Sequence, residues 1–435
     1  MRDTIFALAS GPGRSAVAII RLSGPSSRTA LERLAGRCPP PRRASLAALR
    51  HPGTGELLDH GLVLWFPGPN SFTGEDAAEL QIHGGRAVVA ALLEALGRIP
   101  TCRLAEPGEF TRRAFAEGRL DLTEVEGLAD LIDAQTSAQR RQALRQMEGT
   151  LGRWAIALRD EILTAQALAE SAIDFADEGD IAADILAQAR AVMREVLARI
   201  VAEVAHAPVS ERVRDGFVVA LTGPPNAGKS TLLNALARRD VALVSPIPGT
   251  TRDPIEVELD LAGYAVVLVD TAGLRDSNDA LEQAGIARAR SRAAAADLVL
   301  WLQDAASAPA PPTDPQFAQA RLIGTKQDSV AAPAPGYDLV LSAHTGAGIA
   351  DLIRDLEATA AQRLVGGETA LVARARHRAA LDRAAAALQR ADLHRDAELM
   401  AEDLRAAAEA LGSLIGRIDA EDVLGAIFAR FCIGK

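Results

Sequence analysis

The 435-residue sequence lacks the features that mark secreted, membrane-spanning and nucleic-acid-coating proteins. Its three cysteines, Cys38, Cys102 and Cys432, are too few and too scattered for a disulfide framework, and none belongs to a metal-binding pair. There is no apolar run of about 18 residues, and Asp3 and Pro12 interrupt the apolar N-terminus, so we expect neither a spanning helix nor a signal peptide. The net charge of −10 argues against bulk binding of nucleic acid, which needs positive charge. We therefore expect a cytoplasmic protein that makes no membrane contact.

Lysine is also scarce, because 44 of the 47 basic residues are arginine. Arginine serves well for surface charge, whereas lysine offers a compact ammonium group on a flexible stem. We therefore expect the three remaining lysines, Lys229, Lys326 and Lys435, to lie where such a group is needed.

The first part of the chain, residues 1–118, has the pattern of a small α/β domain. Short apolar runs at Ala16–Leu22 and Gly61–Phe66 are bounded by Gly, Pro and Ser, as strands are. Ala87–Leu96 predicts a helix that ends near Gly97.

Two helical segments flank a central part of the chain that has the pattern of strands alternating with helices. Within residues 119–210, apolar residues from Leu144 to Ile162 step by three and four positions, as on one face of a long helix. Residues 364–435 return to helix. Between them, residues 211–363 hold five apolar runs separated by helical or loop stretches, which is typical of a parallel sheet covered by helices. We predict a multidomain fold, α/β plus all-α, with 211–363 inserted in one helical domain; two separate helical domains are the alternative.

A phosphate-binding loop follows the first of these apolar runs. Residues 223–230 match the pattern G-x4-G-K-[ST], between an apolar strand and a helical stretch. Glycines allow backbone N–H groups to surround a phosphate, and the helix N-terminus adds its dipole. Lys229 is predicted to lie between the β- and γ-phosphates, and Ser230 to bind Mg²⁺.

Further motifs lie where the later apolar runs end. Asp270 can hold Mg²⁺ through water, and Thr251 is predicted to reach Mg²⁺ and sense the γ-phosphate. Asp328 can accept hydrogen bonds from guanine N1 and N2, which adenine cannot offer, and this opposes an ATP-dependent protein. The predicted nucleotide-binding residues are Asn226, Ala227, Gly228, Lys229, Ser230, Thr231, Ser245, Pro246, Ile247, Pro248, Gly249, Thr250, Thr251, Asp270, Thr271, Ala272, Gly273, Thr325, Lys326, Asp328, Ser342 and Ala343.

These segments resemble the five motifs of small GTPases, with one departure: Thr325 stands where the fourth motif usually has Asn. The phosphate loop with Asn226, the segment Pro-Gly-Thr-Thr-Arg-Asp at 248–253 and the C-terminal Phe-Cys-Ile-Gly-Lys resemble the MnmE/TrmE family of tRNA-modification GTPases. N-terminal stretches around Arg14, Arg21 and Glu75 are similar to that family as well, so the resemblance spans the chain.

The resemblance implies three parts: an N-terminal α/β domain that binds a formyl-tetrahydrofolate and forms a homodimer, a helical bundle domain, and an inserted Ras-like P-loop G domain with a mostly parallel sheet. It also implies a flavoprotein partner, MnmG or GidA, which carries FAD. Together they would add an aminomethyl-type group to C5 of the wobble uridine of certain tRNAs. The implied folate-binding residues are Arg21, Glu79, Arg119 and Lys435. From residue chemistry alone, a surface ion pair between Arg21 and Glu79 is the favoured interpretation, and only the resemblance assigns them to a folate site.

A potassium ion is predicted to replace an arginine finger, since no arginine is placed by motif to stabilise the transition state. Asn226 carries a neutral side-chain oxygen suited to a monovalent cation, and Ser245, Ile247 and Thr250 can add further oxygens. A K⁺ there would lie near the bridging β–γ oxygen, where charge grows. Two alternatives stay open: Asn226 only braces the loop, or Arg252 supplies the charge.

The resemblance gives Cys432 a role in modification, although a hydrophobic tail that docks in a core is the alternative. Arg140, Arg141 and Arg145, and the run from Arg374 to Arg378, could meet tRNA phosphates or form solvated helix faces. A regulatory or ribosome-assembly GTPase without modification activity is the competing function, and it would need neither a folate domain nor Cys432.

Activation of the attacking water is assigned to Glu282, on the predicted helix Asp279–Ala289. Leu274 follows the Asp-x-x-Gly motif and cannot orient water, so the carboxylate must come from further along the chain. Glu282 stands at the position that the family uses. Glu282→Ala should slow GTP hydrolysis strongly while GTP binding persists, as single-turnover assays and nucleotide titrations would measure. Unchanged turnover would refute the assignment.

Overall fold

The computed structural model describes residues 3–11, 13–174, 179–243, 256–270, 296–312 and 317–416, together with Gly425 and Gly434. The chain forms two compact units. The first comprises Met1–Ala129, Gln146–Leu163 and Ala408–Lys435, and the second comprises Asp130–Arg145 and Thr164–Ala407.

The first unit is built on a six-stranded sheet in the order β3-β4-β5-β2-β1-β6. Its pairings are antiparallel, except that β1 and β6 run parallel. Alternate residues of β2 and β5, such as Ile20 and Leu80, share one core with Leu31 of α1 and Leu92 of α2. The strands are β1 Thr4–Leu8, β2 Ser15–Ser23, β3 Ser45–Arg50, β4 Leu57–Phe66, β5 Ala77–Gly84 and β6 Cys102–Leu104, and the helices are α1 Ser27–Ala35 and α2 Arg86–Gly97.

The remaining helices before the second sheet follow α2 in close succession. They are α3 Glu109–Ala116, α4 Leu122–Asp133, α5 Ser137–Met147, α6 Thr150–Asp174 and α7 Gly179–Asp215. The prediction of one continuous helix from Leu144 to Ile162 is wrong, because α5 ends at Met147 and α6 begins at Thr150. Gly149 has a φ of +74° and donates its N–H to the carbonyl of Gln146 at 2.9 Å. A Cβ there would lie 2.6 Å from Glu124 Oε1, so glycine permits this break.

The second unit contains a six-stranded sheet in the order β12-β11-β10-β7-β9-β8. All neighbours pair in parallel except β8 and β9, so the predicted mostly parallel sheet is confirmed. The strands are β7 Phe217–Thr222, β8 Glu256–Leu261, β9 Tyr264–Asp270, β10 Leu298–Asp304, β11 Arg321–Thr325 and β12 Leu339–Val340. The helices from here on are α8 Lys229–Ala237, α9 Ile349–Leu364, α10 Ala375–Leu393 and α11 Ala397–Leu414, and α11 belongs to the first unit from Ala408 onward.

Strand β8 is the element of this sheet that the sequence prediction missed. It lies at the sheet edge and alternates acidic with apolar residues, Glu256, Glu258 and Asp260 against Val257, Leu259 and Leu261. Period-two alternation is the signal of a half-buried strand, and Leu259 and Leu261 are indeed buried in the core. Across the described residues, no helix is long and apolar enough to cross a bilayer.

A close approach between α4 and the end of α5 yields a stability prediction. Gly127 lies within α4, and a Cβ there would come 2.4 Å from the backbone nitrogen of Met147. Alanine normally favours a helix over glycine by up to about 1 kcal/mol, but a clash with backbone costs more. Gly127→Ala should lower the free energy of unfolding by about 1–3 kcal/mol, measured by urea titration.

The matched control for this prediction is Gly97→Ala at the end of α2. A Cβ there would be 3.8 Å from Phe6 Cζ, which is an ordinary contact. We expect this variant to unfold at the same urea concentration as the unmutated protein or higher. Equal stability of the two variants would contradict the packing explanation.

Candidate nucleotide-binding site

The phosphate loop follows the carboxyl end of β7, and its backbone has positive φ values that favour glycine. Gly223 and Gly228 have φ values of +138° and +86°, and Asn226 has +61°. A Cβ at Gly223 would lie 2.2 Å from the carbonyl oxygen of Leu302, so only glycine lets the loop pass this close to β10. The sequence pattern therefore folds as the predicted phosphate loop requires.

Lys229 is the first residue of α8, and its side chain curls back over the loop. The residue is only 7% exposed, and its Nζ donates hydrogen bonds to the carbonyls of Gly223 and Pro224, both at 2.9 Å. Burial lowers the pKa of Lys229 from its ordinary value, and the nearby Asp270 carboxylate opposes that shift. The ammonium group is thus held where phosphate oxygens can replace the two carbonyls as its acceptors.

Ser230 and Asp270 meet beside the phosphate loop. Ser230 Oγ donates a hydrogen bond to Asp270 Oδ2 at 2.5 Å, and Asp270 is 1% exposed at the end of β9. A hydroxyl and a carboxylate side by side suit Mg²⁺, which prefers oxygen ligands and takes few of them from the protein. The described residues contain no group of three or more His, Cys, Asp or Glu side chains that could hold a metal.

Thr325 ends β11 and braces the phosphate loop. Its Oγ1 lies 2.8 Å from the carbonyl oxygen of Ala227 and 2.9 Å from that of Gln303. The residue is 3% exposed, and the single hydroxyl proton serves one of the two carbonyls at a time. The contact from the fourth motif to the phosphate loop is therefore present although threonine stands where asparagine is usual.

The segment that is predicted to recognise the base follows Thr325 directly. Lys326 has a φ of +57°, and its Nζ lies 3.1 Å from Asp304 Oδ2. Asp328 stands in a 3₁₀ turn, Gln327–Ser329, and accepts a hydrogen bond from Ser342 Oγ. That bond lowers the pKa of the exposed Asp328 carboxyl below its ordinary value. The hydrogen bond from Ser342 thus favours the ionised form of the carboxyl, which is the form that accepts N–H groups.

Ser342 is held in place by two features: it is fully buried, and its Oγ accepts a hydrogen bond from the N–H of Thr345 at 3.1 Å. Ala343 follows Ser342 in the chain. The sequence prediction gave Ser342 and Ala343 a backbone role toward guanine O6, whereas the side-chain bond from Ser342 to Asp328 was not foreseen.

Several predicted site residues lie outside the described part of the chain. These are Ser245, Pro246, Ile247, Pro248, Gly249, Thr250, Thr251, Arg252, Thr271, Ala272, Gly273, Glu282, Cys432 and Lys435. Their assignments stay predictions.

A second candidate site is a cavity of about 250 Å³ in the first unit. Arg21 and Glu79 line it from facing positions on β2 and β5. Arg21 Nε and Nη2 donate to Glu79 Oε1 at 3.1 and 3.0 Å. The two residues therefore form an ion pair, and the same pair lines the cavity. Arg119 is exposed and is not among the residues that line the cavity; its Cγ packs near Gly74.

Ser23 and Thr73 line this cavity and connect it to Glu75 and Arg113, which do not line it, and the sequence prediction missed this network. Ser23 Oγ lies 2.7 Å from Thr73 Oγ1 and donates to Glu75 Oε2 at 2.7 Å. Glu75 in turn accepts from Arg113 Nη1 at 3.1 and 3.2 Å, and Arg113 is 8% exposed. Phe110 lines the same cavity. The residues of this network are up to 90 positions apart in the sequence. The sequence pointed to one of them only, through the similarity of the stretch around Glu75 to the MnmE/TrmE family.

Three of the arginines considered for tRNA contact are engaged within the chain. Arg374 Nη2 lies 2.6 Å from Asp130 Oδ1, and Arg378 Nη1 lies 3.3 Å from Glu211 Oε2. Arg141 pairs with Glu368. These three guanidinium groups are therefore at least partly used by contacts within the chain.

The brace at Thr325 gives a prediction for nucleotide affinity. Thr325→Ala removes the donor to the phosphate loop, and loss of a buried hydrogen bond costs about 1–3 kcal/mol, or about 5- to 150-fold in binding. Titration calorimetry with GDP and Mg²⁺ would measure the loss. Thr325→Ser keeps the hydroxyl and should bind as the unmutated protein does. Wild-type affinity in Thr325→Ala would contradict the bracing role.

Known proteins match the chain over its whole length. The family model for the GTP-binding protein TrmE N-terminus matches residues 4–119, and that for the MnmE helical domain matches residues 122–432. The tRNA modification GTPase MnmE of Beijerinckia indica is 56% identical over 434 residues, with 100% of this chain and 96% of the relative covered. Proteins of the same name from Rhodopseudomonas palustris and a Methylobacterium species are both 55% identical, with 100% of this chain and 99% and 100% of the relatives covered. The chain therefore belongs to the MnmE family of tRNA modification GTPases, as the sequence motifs predict.

Proposed function

We propose that this protein is a potassium-dependent GTP hydrolase that, with a flavin-dependent MnmG/GidA partner, adds a carboxymethylaminomethyl-type group to C5 of the wobble uridine of certain tRNAs. One observation supports GTP hydrolysis most directly: the Ser230 hydroxyl is hydrogen-bonded to the buried Asp270 carboxylate, and Lys229 folds over the neighbouring phosphate loop. Family membership supports the tRNA part. The proposed location is the cytoplasm, where such tRNA substrates are found.

Mg²⁺ would be held by Ser230 together with Thr251, and it would neutralise charge on the β- and γ-phosphates. Potassium would be held by Asn226, Ser245, Ile247 and Thr250. Asn226 is solvent-exposed on the phosphate loop, so its amide oxygen is accessible to a cation. Lys229 would add the fixed positive charge on the phosphates, and Glu282 would orient the attacking water.

The base would be read by Asp328, which offers two acceptor oxygens to N1–H and the N2 amino group of guanine. Ser342 keeps that carboxylate oriented, and Lys326 is tied to Asp304 beside it. Adenine has no hydrogen at N1 and no amino group at C2, so ATP would lose both contacts. This arrangement supports GTP over ATP as the nucleotide.

The cavity of the first unit would bind the formyl-tetrahydrofolate-type donor. Phe66, Phe72 and Phe110 offer apolar ring surfaces, and Glu79 offers a carboxylate that can accept hydrogen bonds from a pterin edge. These residues fit such a ligand. When bound, the folate would supply the one-carbon unit. Arg21 and Glu79 would bind it in the cavity, and Arg119, which lies outside the cavity lining, and Lys435 would add further contacts that orient it. Cys432 would act in the modification step, and the protein would work as a homodimer.

The competing function is a regulatory or ribosome-assembly GTPase without modification activity. Such a protein would need the nucleotide site alone. The aromatic cavity that contains the Arg21–Glu79 pair favours the modifying enzyme, because a switch protein has no use for it.

Nucleoside analysis of tRNA from cells that lack the protein tests the proposal. The wobble uridine should be unmodified at C5, and the unmutated protein should restore the modification. Cys432→Ser should hydrolyse GTP normally and yet fail to restore it. Normal C5 modification in cells without the protein would refute the proposed function, and equal loss of both activities in Cys432→Ser would assign that residue a packing role.

The potassium requirement gives a separate prediction. GTP hydrolysis should be about 10- to 100-fold faster in K⁺ than in Na⁺, because the proposed site takes the larger K⁺ and not Na⁺, and a fixed charge at the leaving oxygen is worth that much or more. Asn226→Ala should erase the difference between the two salts. Asn234→Ala, an exposed asparagine on α8, is the matched control and should keep it. Identical rates of the unmutated protein in both salts would refute the role of potassium.

A further inference from the structure

The charges that line the cavity of the first unit do not balance. Two arginines, Arg21 and Arg42, face one carboxylate, Glu79. Arg21 is paired with Glu79 at 3.0 Å. Among the described residues, no carboxylate lies within 4.0 Å of the Arg42 guanidinium, which contacts the carbonyl of Asn70 and the ring of Phe66 instead. A guanidinium has five N–H donors, so most of those of Arg42 remain available to a ligand.

The backbone at Arg42 is held in a conformation that normally suits glycine. Arg42 has a φ of +59° in a turn in which Arg43 N–H donates to the carbonyl of Pro40 at 3.3 Å. The N–H of Arg42 itself donates to the carbonyl of Trp65 at 2.8 Å, which ties the turn to β4. Non-glycine residues adopt positive φ only at a cost in free energy, and such strain collects at functional sites. The strained backbone at Arg42 therefore indicates that its side chain has a ligand-binding role in the cavity that it lines.

The two arginines stand over two aromatic rings of the cavity. Arg42 Cζ lies 5.8 Å from the centre of the Phe66 ring, and Arg21 Cζ lies 5.7 Å from that of Phe72. The rings give apolar walls to the cavity, Glu79 provides an acceptor, and Arg42 adds a net positive charge. A complementary ligand has a flat aromatic body, N–H donors at one end and a carboxylate at the other.

We propose that Arg42 is the specificity residue of this cavity and binds the carboxylate tail of its ligand. This inference rests on the proposed folate binding and deepens it: Glu79 accepts the N–H groups of the pterin, and Arg42 pairs with the glutamate carboxylates. Arg42 thereby selects folates with an anionic tail over neutral pterins. The Arg21–Glu79 pair alone cannot do so, because its charges cancel.

The experiment compares two ligands that differ only in charge. 5-Formyltetrahydrofolate and its bis-amide, in which both glutamate carboxylates are neutral amides, are titrated into the full chain by calorimetry at low and high salt. The unmutated protein should bind the acid about 10- to 100-fold more tightly, as a charge-assisted hydrogen bond contributes. High salt should reduce that preference, since Arg42 is exposed and its charge is screened.

Three variants separate the role of the charge from that of the turn. Arg42→Gln should lose the preference for the acid and bind the bis-amide as before. Arg42→Lys keeps the charge without the forked donors and should retain part of the preference, which keeps the proposal testable if the glutamine variant does not fold. Arg43→Gln, the exposed neighbour that does not line the cavity, is the matched control and should behave as the unmutated protein does.

The outcomes distinguish failure of this inference from failure of folate binding. Equal affinity of the unmutated protein for both ligands, or an equal loss for both in Arg42→Gln, overturns the role of Arg42 and leaves folate binding intact. Binding of neither ligand by the unmutated protein overturns both proposals. Loss of the preference in Arg43→Gln as well as in Arg42→Gln also contradicts a specific contact at Arg42.

Discussion

The hydroxyl of Thr325 joins two parts of the nucleotide site that the chain places almost one hundred residues apart. It reaches the carbonyl of Ala227 in the phosphate loop from the end of β11, in a place closed to water. The phosphate loop has three residues with positive φ, and the Thr325 hydroxyl ties it to the end of β11. A shift at Thr325 would therefore move the loop that holds the buried Lys229, and with it the positive charge that faces the phosphates. The base-recognition turn that follows Thr325 is coupled to the loop in the same way.

The parts of the site that the sequence could predict are those where one short segment contains all the necessary chemistry. The phosphate loop is such a segment, because its glycines, Lys229 and Ser230 must be close in sequence for the backbone to enclose a phosphate. The five parallel strands were predicted because each is a continuous apolar run. Strand β8 was missed because it lies at the edge and half of its residues are acidic.

The parts that the sequence could not predict depend on distant neighbours. At the break at Gly149, Glu124 lies so close that only a residue without a Cβ fits, and a local helical pattern does not contain this neighbour. The chain of contacts from Ser23 through Glu75 to Arg113 exists only once β2, the loop before β5 and α3 are brought together. The same holds for Arg42, whose positive-φ turn and place in the cavity wall are visible only in the folded unit.

The most direct test of a guanine-specific site compares the affinities of GTP and inosine triphosphate, which lacks the N2 amino group. The unmutated protein should bind GTP about 10- to 100-fold more tightly, because Asp328 accepts a hydrogen bond from that group. Asp328→Ala should abolish the difference while both nucleotides still bind through their phosphates. Equal affinity of the unmutated protein for the two nucleotides would contradict the account of how this site selects GTP.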